Sequence, residues 1–206
     1  MKIVLATRNT GKISEIRKIL SDVDIEFLDF YDLPPFPEPS EEGESFLDNA
    51  LLKAKAVSAV AGLPALADDS GLEVEALDGG PGVHSARFGG EGLSDRERAM
   101  KLLEALQGVP DDERGARFRC VMVLFPAPGR EEQTFVTEGI LYGRIAFEPA
   151  GENGFGYDPI FLVPERRMTL AQMASEEKNS ISHRYRALVE MKWLLVRECN
   201  LKLKKS

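Results

Sequence analysis

The chain has 206 residues, 43% of them hydrophobic and 29% charged, with a formal net charge of −8. That length is enough for one domain with a real core or for two lobes sharing a sheet, and the composition excludes global disorder. The acidic balance argues against a general nucleic-acid surface but leaves room for a small anionic ligand held by a few cations.

Residues 2–6, KIVLA, read as a buried strand. GKISEIRKILSD follows with Ile13, Ile16 and Leu20 on one helical face, and IEFLDF (25–30) reads as a second strand. This β-α-β opening predicts an α/β fold. The stretch 31–44, YDLPPFPEPSEEGE, holds four prolines and reads as a long loop with a functional role. ESFLDNALLKAKAVSAVAG predicts the strongest helix, with Leu47, Leu51, Ala54, Val57 and Ala61 as its stripe and Gly62 then Pro64 ending it.

From Pro64 the chain reads PALADDSGLEVEAL, an apolar approach into adjacent Asp68 and Asp69, then Ser70-Gly71 as a turn and further alternation. SDRERAMKLLEALQG predicts a helix opened by a Ser94/Glu97 capping box and stopped at Gly108. ARFRCVMVLF (116–125) and QTFVTEGILYGRIAF (133–147) read as two long strands, joined as a hairpin around PAPGREE. PAGENGFGYDPIF is a glycine-rich loop leading into a short strand, and SHRYRALVEMKWLLVREC a closing helix capped by Ser182.

Two cysteines, Cys120 and Cys199, form no CxxC pair and fit a reducing compartment. With only two histidines, a His/Cys zinc site is not expected. No signal peptide and no membrane-length apolar run is read. The expected setting is therefore the cytoplasm, with no nucleic-acid and no membrane partner.

Four stretches carry candidate chemistry. LATRNTGK places Thr7, Arg8, Asn9, Thr10, Gly11 and Lys12 at a strand-to-helix turn, where helical N–H groups and a lysine favour an anion. It is not a Walker loop: Ala6 and Ile13 stand where glycine and serine or threonine are required. Adjacent Asp68 and Asp69 repel if both are ionised. A solvated turn, a metal site, and a general base combined with a metal ligand all remain open, with Glu41, Glu42 and Glu44 as further acids. GFGYDPIF sets Phe155, Gly156, Tyr157 and Asp158 together; an aromatic here suits either base stacking or the core. EEKNSISHR puts Lys178 in a loop and His183-Arg184 in the first turn of the last helix, a cation-rich start that an anion would offset.

Together, LATRNTGK, EEGESFLDNALLKAKA, LADDSGLEVEALDGGPGVHSARF, EPAGENGFGYDPIF and EEKNSISHR resemble the inosine triphosphate pyrophosphatase family along nearly the whole chain. Arg8 and Glu42 depart from the residues common there. The resemblance implies an α/β fold with a long mixed central sheet flanked by helices. It implies a single domain over 1–206 with two lobes, the active-site cleft between them, and a homodimer. It implies hydrolysis of ITP, dITP and XTP to the monophosphate and pyrophosphate, with Mg²⁺ as cofactor. Thr7, Arg8, Asn9, Thr10, Gly11 and Lys12 would lie along the triphosphate, and Asp68, Asp69 and Lys12 would be catalytic. Glu41 and Asp69 would hold the metal, and Ser70 would meet substrate. Phe155, Gly156, Tyr157 and Asp158 would form the base pocket, and Lys178, His183 and Arg184 would reach the nucleotide. A non-catalytic nucleotide-binding protein and a broader pyrophosphatase for modified nucleotides are the alternatives.

Overall fold

A computed structural model describes residues 1–34, 36, 39, 42–199 and 201–204. Seven strands form one mixed sheet in the order β2-β1-β3-β4-β5-β6-β7. They are β1 (Lys2–Leu5), β2 (Glu26–Leu28), β3 (Ala65–Val74), β4 (Gly115–Phe125), β5 (Phe135–Ile145), β6 (Phe161–Val163) and β7 (Met168–Thr169). β1 runs parallel to β2 and β3, whereas β5–β6 and β6–β7 are antiparallel. Among the described residues five α-helices accompany it: α1 (Thr10–Ile19), α2 (Phe46–Ala61), α3 (Asp95–Ala105), α4 (Ser175–Ile181) and α5 (His183–Glu198). The α/β expectation and the opening β-α-β unit are borne out. Among the described residues no helix is long and apolar enough to cross a membrane.

The chain divides into two compact units. The first comprises Met1–Asp69, Cys120–Gly139 and Arg184–Ser206. Strand alternation sorts its core into two faces. Ile3, Leu5, Leu66 and Met122 pack with Ile16 and Leu20 of α1 and Leu188, Met191 and Leu195 of α5. Val4, Ala65, Ala67 and Val123 point the other way and pack with Ala50, Ala54 and Val57 of α2. α2 starts at a Ser45/Asp48 capping box and stops at Gly62, whose positive φ of 65° suits the residue without a Cβ. Its buried stripe runs through Phe46, Ala50, Ala54 and Val57, while Leu47 is exposed. The expected placement of Leu47 fails because the apolar face turns about Phe46 and Ala50, one residue off the predicted start.

The second unit comprises Ser70–Arg119 and Ile140–His183. Leu72, Val74, Phe118, Leu141, Ile145, Ile160 and Phe161 form its core with Ala99, Leu102 and Leu106 of α3. α3 opens on the expected Ser94/Glu97 box. Buried Arg114 donates to the carbonyls of Leu106, Ile145 and Ala146, and its guanidinium lies over the Phe147 ring.

Two local expectations are corrected. Ser70-Gly71 is not a turn: β3 runs without a break from Ala65 to Val74. Lys178 is not in a loop but on α4, which Ser182 ends as C-cap. A seven-residue helix carries too little apolar periodicity to be separated from the longer helix that follows it.

Candidate active site

The aspartate pair sits where β3 is most buried. Asp68 is 1% exposed and Asp69 7%, which rules out the solvated-turn reading. Neighbouring residues of a strand face opposite sides. Asp68 follows Leu66 toward α1 and α5, and Asp69 follows Ala65 and Ala67 toward α2. Each carboxylate therefore meets a different set of cations.

Lys12 Nζ lies 2.9 Å from Asp68 Oδ2, and Arg184 Nε and Nη2 each approach the same oxygen at 3.4 Å. Arg184 Nη1 also pairs with Glu15 of α1. Burial alone would push the Asp68 carboxyl up, but Lys12, Arg184 and Lys53 outweigh it and hold it well below the usual carboxylate range. Arg184 follows the same logic. Burial disfavours its charge, while Asp68 and Glu15 raise its affinity for the proton above the ordinary guanidinium value.

On the other face, Asn49 Nδ2 donates to Asp69 Oδ2 at 3.0 Å, and Lys53 Nζ lies 3.4 Å from Asp69 Oδ1. Asn49 Oδ1 accepts the Gly43 N–H at 2.8 Å, so one side chain ties the acidic loop to Asp69. Sequence reading missed Asn49, Lys53 and Glu15. The signal for the first two was there: polar residues four apart on the side of α2 that is otherwise Phe46, Ala50, Ala54 and Val57.

The turn before α1 opens onto a helix N-terminus. Asn9 is the N-cap, its Oδ1 accepting the Lys12 N–H at 3.1 Å, and Thr7 Oγ1 accepts the Asn9 N–H at 3.2 Å. The first turn of α1 holds no acid, so its positive end is not offset within the helix. Arg8, Asn9 and Thr10 are exposed, and Gly11 and Lys12 half-buried. Arg8 lies over the Phe30 ring at 4.9 Å.

In the second unit, Asp158 organises the glycine-rich loop. Its Oδ2 accepts the Phe155 N–H at 2.8 Å and pairs with Lys178 Nζ at 2.6 Å, and Lys178 Nζ lies 4.5 Å from the Phe155 ring centre. Phe155 is 37% exposed and offers a face. Tyr157 does not: its ring is in the core and its hydroxyl donates to the Ser85 carbonyl at 2.8 Å. Burial pushes that phenol well above its ordinary range. His183 is buried with its ring stacked on Phe118 at 4.8 Å, and Ser70 is half-buried on β3.

The structure thus gathers Lys12, Asp68, Asp69 and Arg184 in the first unit, and Phe155, Gly156, Asp158 and Lys178 in the second. Glu41 lies outside the described residues, and Glu42 is exposed. Among the described residues no three acids, histidines or cysteines are grouped as a ready metal cage. Magnesium needs none. It is commonly held by one or two carboxylates, with substrate phosphates and water completing the shell. The Asp69 carboxylate supplies hard oxygen donors of that type, so it fits the ion.

The Ham1 family model matches residues 3–193. The chain is 50% identical over 191 residues to the dITP/XTP pyrophosphatase of Geobacter sulfurreducens, covering 93% of this chain and 94% of that one. It is 46% identical over 187 residues to the dITP/XTP pyrophosphatase of Escherichia coli K12, covering 91% and 94%. The solved Ham1 protein of Coxiella burnetii superposes with a TM-score of 0.86 at 42% identity, covering 95% of this chain and 98% of that one.

Proposed function

Because the chain belongs to the Ham1 family, we propose that it hydrolyses deaminated purine nucleoside triphosphates, ITP, dITP and XTP, to the monophosphate and pyrophosphate. The reading rests on one observation above all: a buried aspartate pair whose two carboxylates are held by separate cations. The named relatives being pyrophosphatases, a non-catalytic nucleotide-binding role is not favoured.

The two aspartates divide the labour. A carboxyl held far below the usual range is a poor proton acceptor. Asp68 is then a fixed anion that orients Lys12 and Arg184. Asp69 is the base: Asn49 and Lys53 aim its carboxylate, which takes a proton from the water attacking between the α and β phosphorus atoms. Lys12, at the positive end of α1, holds the phosphate chain with the 7–12 backbone. It stabilises the charge that grows on the pyrophosphate leaving group.

Three cations, Lys12, Lys53 and Arg184, already face three carboxylates, Asp68, Asp69 and Glu15. A triphosphate adds negative charge to a balanced cluster. Asp69 and Glu41 would hold a magnesium ion, which would supply charge neutralisation and Lewis-acid polarisation of the phosphate. Phe155 stacks on the purine, and Asp158 and Lys178 hold the loop that presents it. His183 and Arg184 are the donors proposed for the C6 oxygen edge. Adenine, with a donor amine there, offers them no acceptor.

The test is pyrophosphate release from ITP, dITP, XTP, ATP and GTP, each with and without Mg²⁺. Release from the deaminated nucleotides only, and only with metal, is expected. Equal turnover of ITP and ATP would show a broader pyrophosphatase, and no release from any would overturn the catalytic reading.

A further inference from the structure

The glycine-rich loop is tied down from a direction that the motifs did not suggest. The Gly156 N–H donates to Asp95 Oδ2 at 2.7 Å. Next to it, Tyr157 donates its hydroxyl to the Ser85 carbonyl, and the Ser85 hydroxyl accepts the Leu72 N–H at 2.8 Å. The second tie is buried and belongs to the core. The first is exposed and links the opening residue of α3 to the peptide that follows Phe155.

α3 does not need Asp95 as its cap. Ser94 Oγ accepts the Glu97 N–H, and Glu97 Oε2 accepts the Ser94 N–H at 2.8 Å, so the reciprocal capping box is complete without it. The Asp95 carboxylate instead reaches sixty-one residues along the chain. Phe155 sits between Gly154 (φ 78°) and Gly156 (φ 63°), two residues with the widest backbone freedom. Asp158 restrains the N-terminal side of this tripeptide by accepting the Phe155 N–H, and Asp95 restrains the C-terminal side.

We propose that Asp95 is a positioning residue for substrate recognition: by accepting the Gly156 N–H it fixes the plane of the Phe155 ring against the purine. This rests on the reading of Phe155 as the base platform. A platform ordered before binding spares the ligand the cost of ordering it. Loss of the tether therefore weakens binding while leaving the phosphate chemistry in place.

The experiment compares ITP kinetics of the wild type, Asp95→Ala, Asp95→Asn and Phe155→Ala, with thermal melts of each. Asp95→Ala is expected to raise KM about three- to tenfold with kcat within about twofold, the scale of one exposed hydrogen bond. Asp95→Asn keeps an acceptor oxygen without the charge and is expected to restore KM. If Asp95 served only the α3 dipole, Asn and Ala would behave alike and the change would appear in the melts; that result overturns the tether. So does an unchanged KM in Asp95→Ala while Phe155→Ala raises it, which leaves the platform reading standing. An unchanged KM in Phe155→Ala overturns the platform and the tether with it.

Discussion

At Asp68 and Asp69, two like charges are adjacent in sequence but not in environment. The pleat turns one to Lys12 and Arg184 and the other to Asn49 and Lys53. If Asp69 is the base, Asp69→Asn keeps the size and the contact with Asn49 but removes the proton acceptor. Pyrophosphate release is expected to fall at least about a hundredfold, with the circular-dichroism spectrum unchanged; retained turnover would remove Asp69 from that role. Cys120 lies in the same pocket, its thiol 3.9 Å from Asp68 Oδ2. Burial first, and then Asp68, push that thiol up to about 12. Thiolate is the reactive form. At pH 8 a thiol reagent is therefore expected to leave Cys120 unmodified in the folded protein and to label it only after denaturation. Half-buried Cys199 is the site that reacts first.

At the scale of elements, α2 carries two residues that hold Asp69, so its register matters to the site. The Ser45 hydroxyl accepts the Asp48 N–H at 3.1 Å, and Asp48 Oδ2 accepts the Ser45 N–H at 3.1 Å. Ser45→Ala is expected to destabilise the protein by about 1 kcal/mol in urea titration. It should lower kcat less than Asn49→Ala, which removes the link between Gly43 and Asp69 directly. Most elements were legible in the sequence. β1, α1 and α2 announce themselves through period and caps, and α3 through Ser94 and Glu97. The errors fell where signals are short or ambiguous. Ser-Gly in β3 carries turn chemistry, yet the strand runs through it, with Gly71 and Leu72 buried. Tyr157 lies beside glycines as Phe155 does, and only packing sends one ring into the core and leaves the other with a face.

For the whole molecule, pH couples the site to stability. The folded Asp68 carboxyl titrates well below an unfolded aspartate, so the folded state favours its ionised form. Its contribution is complete above about pH 5 and is lost as pH falls through the ordinary carboxylate range toward the folded value. The melting temperature is expected to fall on acidification below about pH 5. One such group contributes a slope of up to about 1.4 kcal/mol per pH unit. Asp68→Asn should start less stable, since half-buried Lys12 loses this ion pair and buried Arg184 keeps only Glu15, and should show a shallower acid decline over the same window. Parallel declines would show that other carboxylates govern the acid limb. By itself the sequence determined the fold class and the family, and it singled out Lys12, Asp68, Asp69 and Arg184 as candidates, because periodicity, caps and ordered motifs are local and survive without coordinates. Only the tertiary structure decided which cation faces which acid, that Asn49 and Lys53 join Asp69, and that Asp95 reaches Gly156. Those pairings span long stretches of chain and are set by which face of a strand meets which helix.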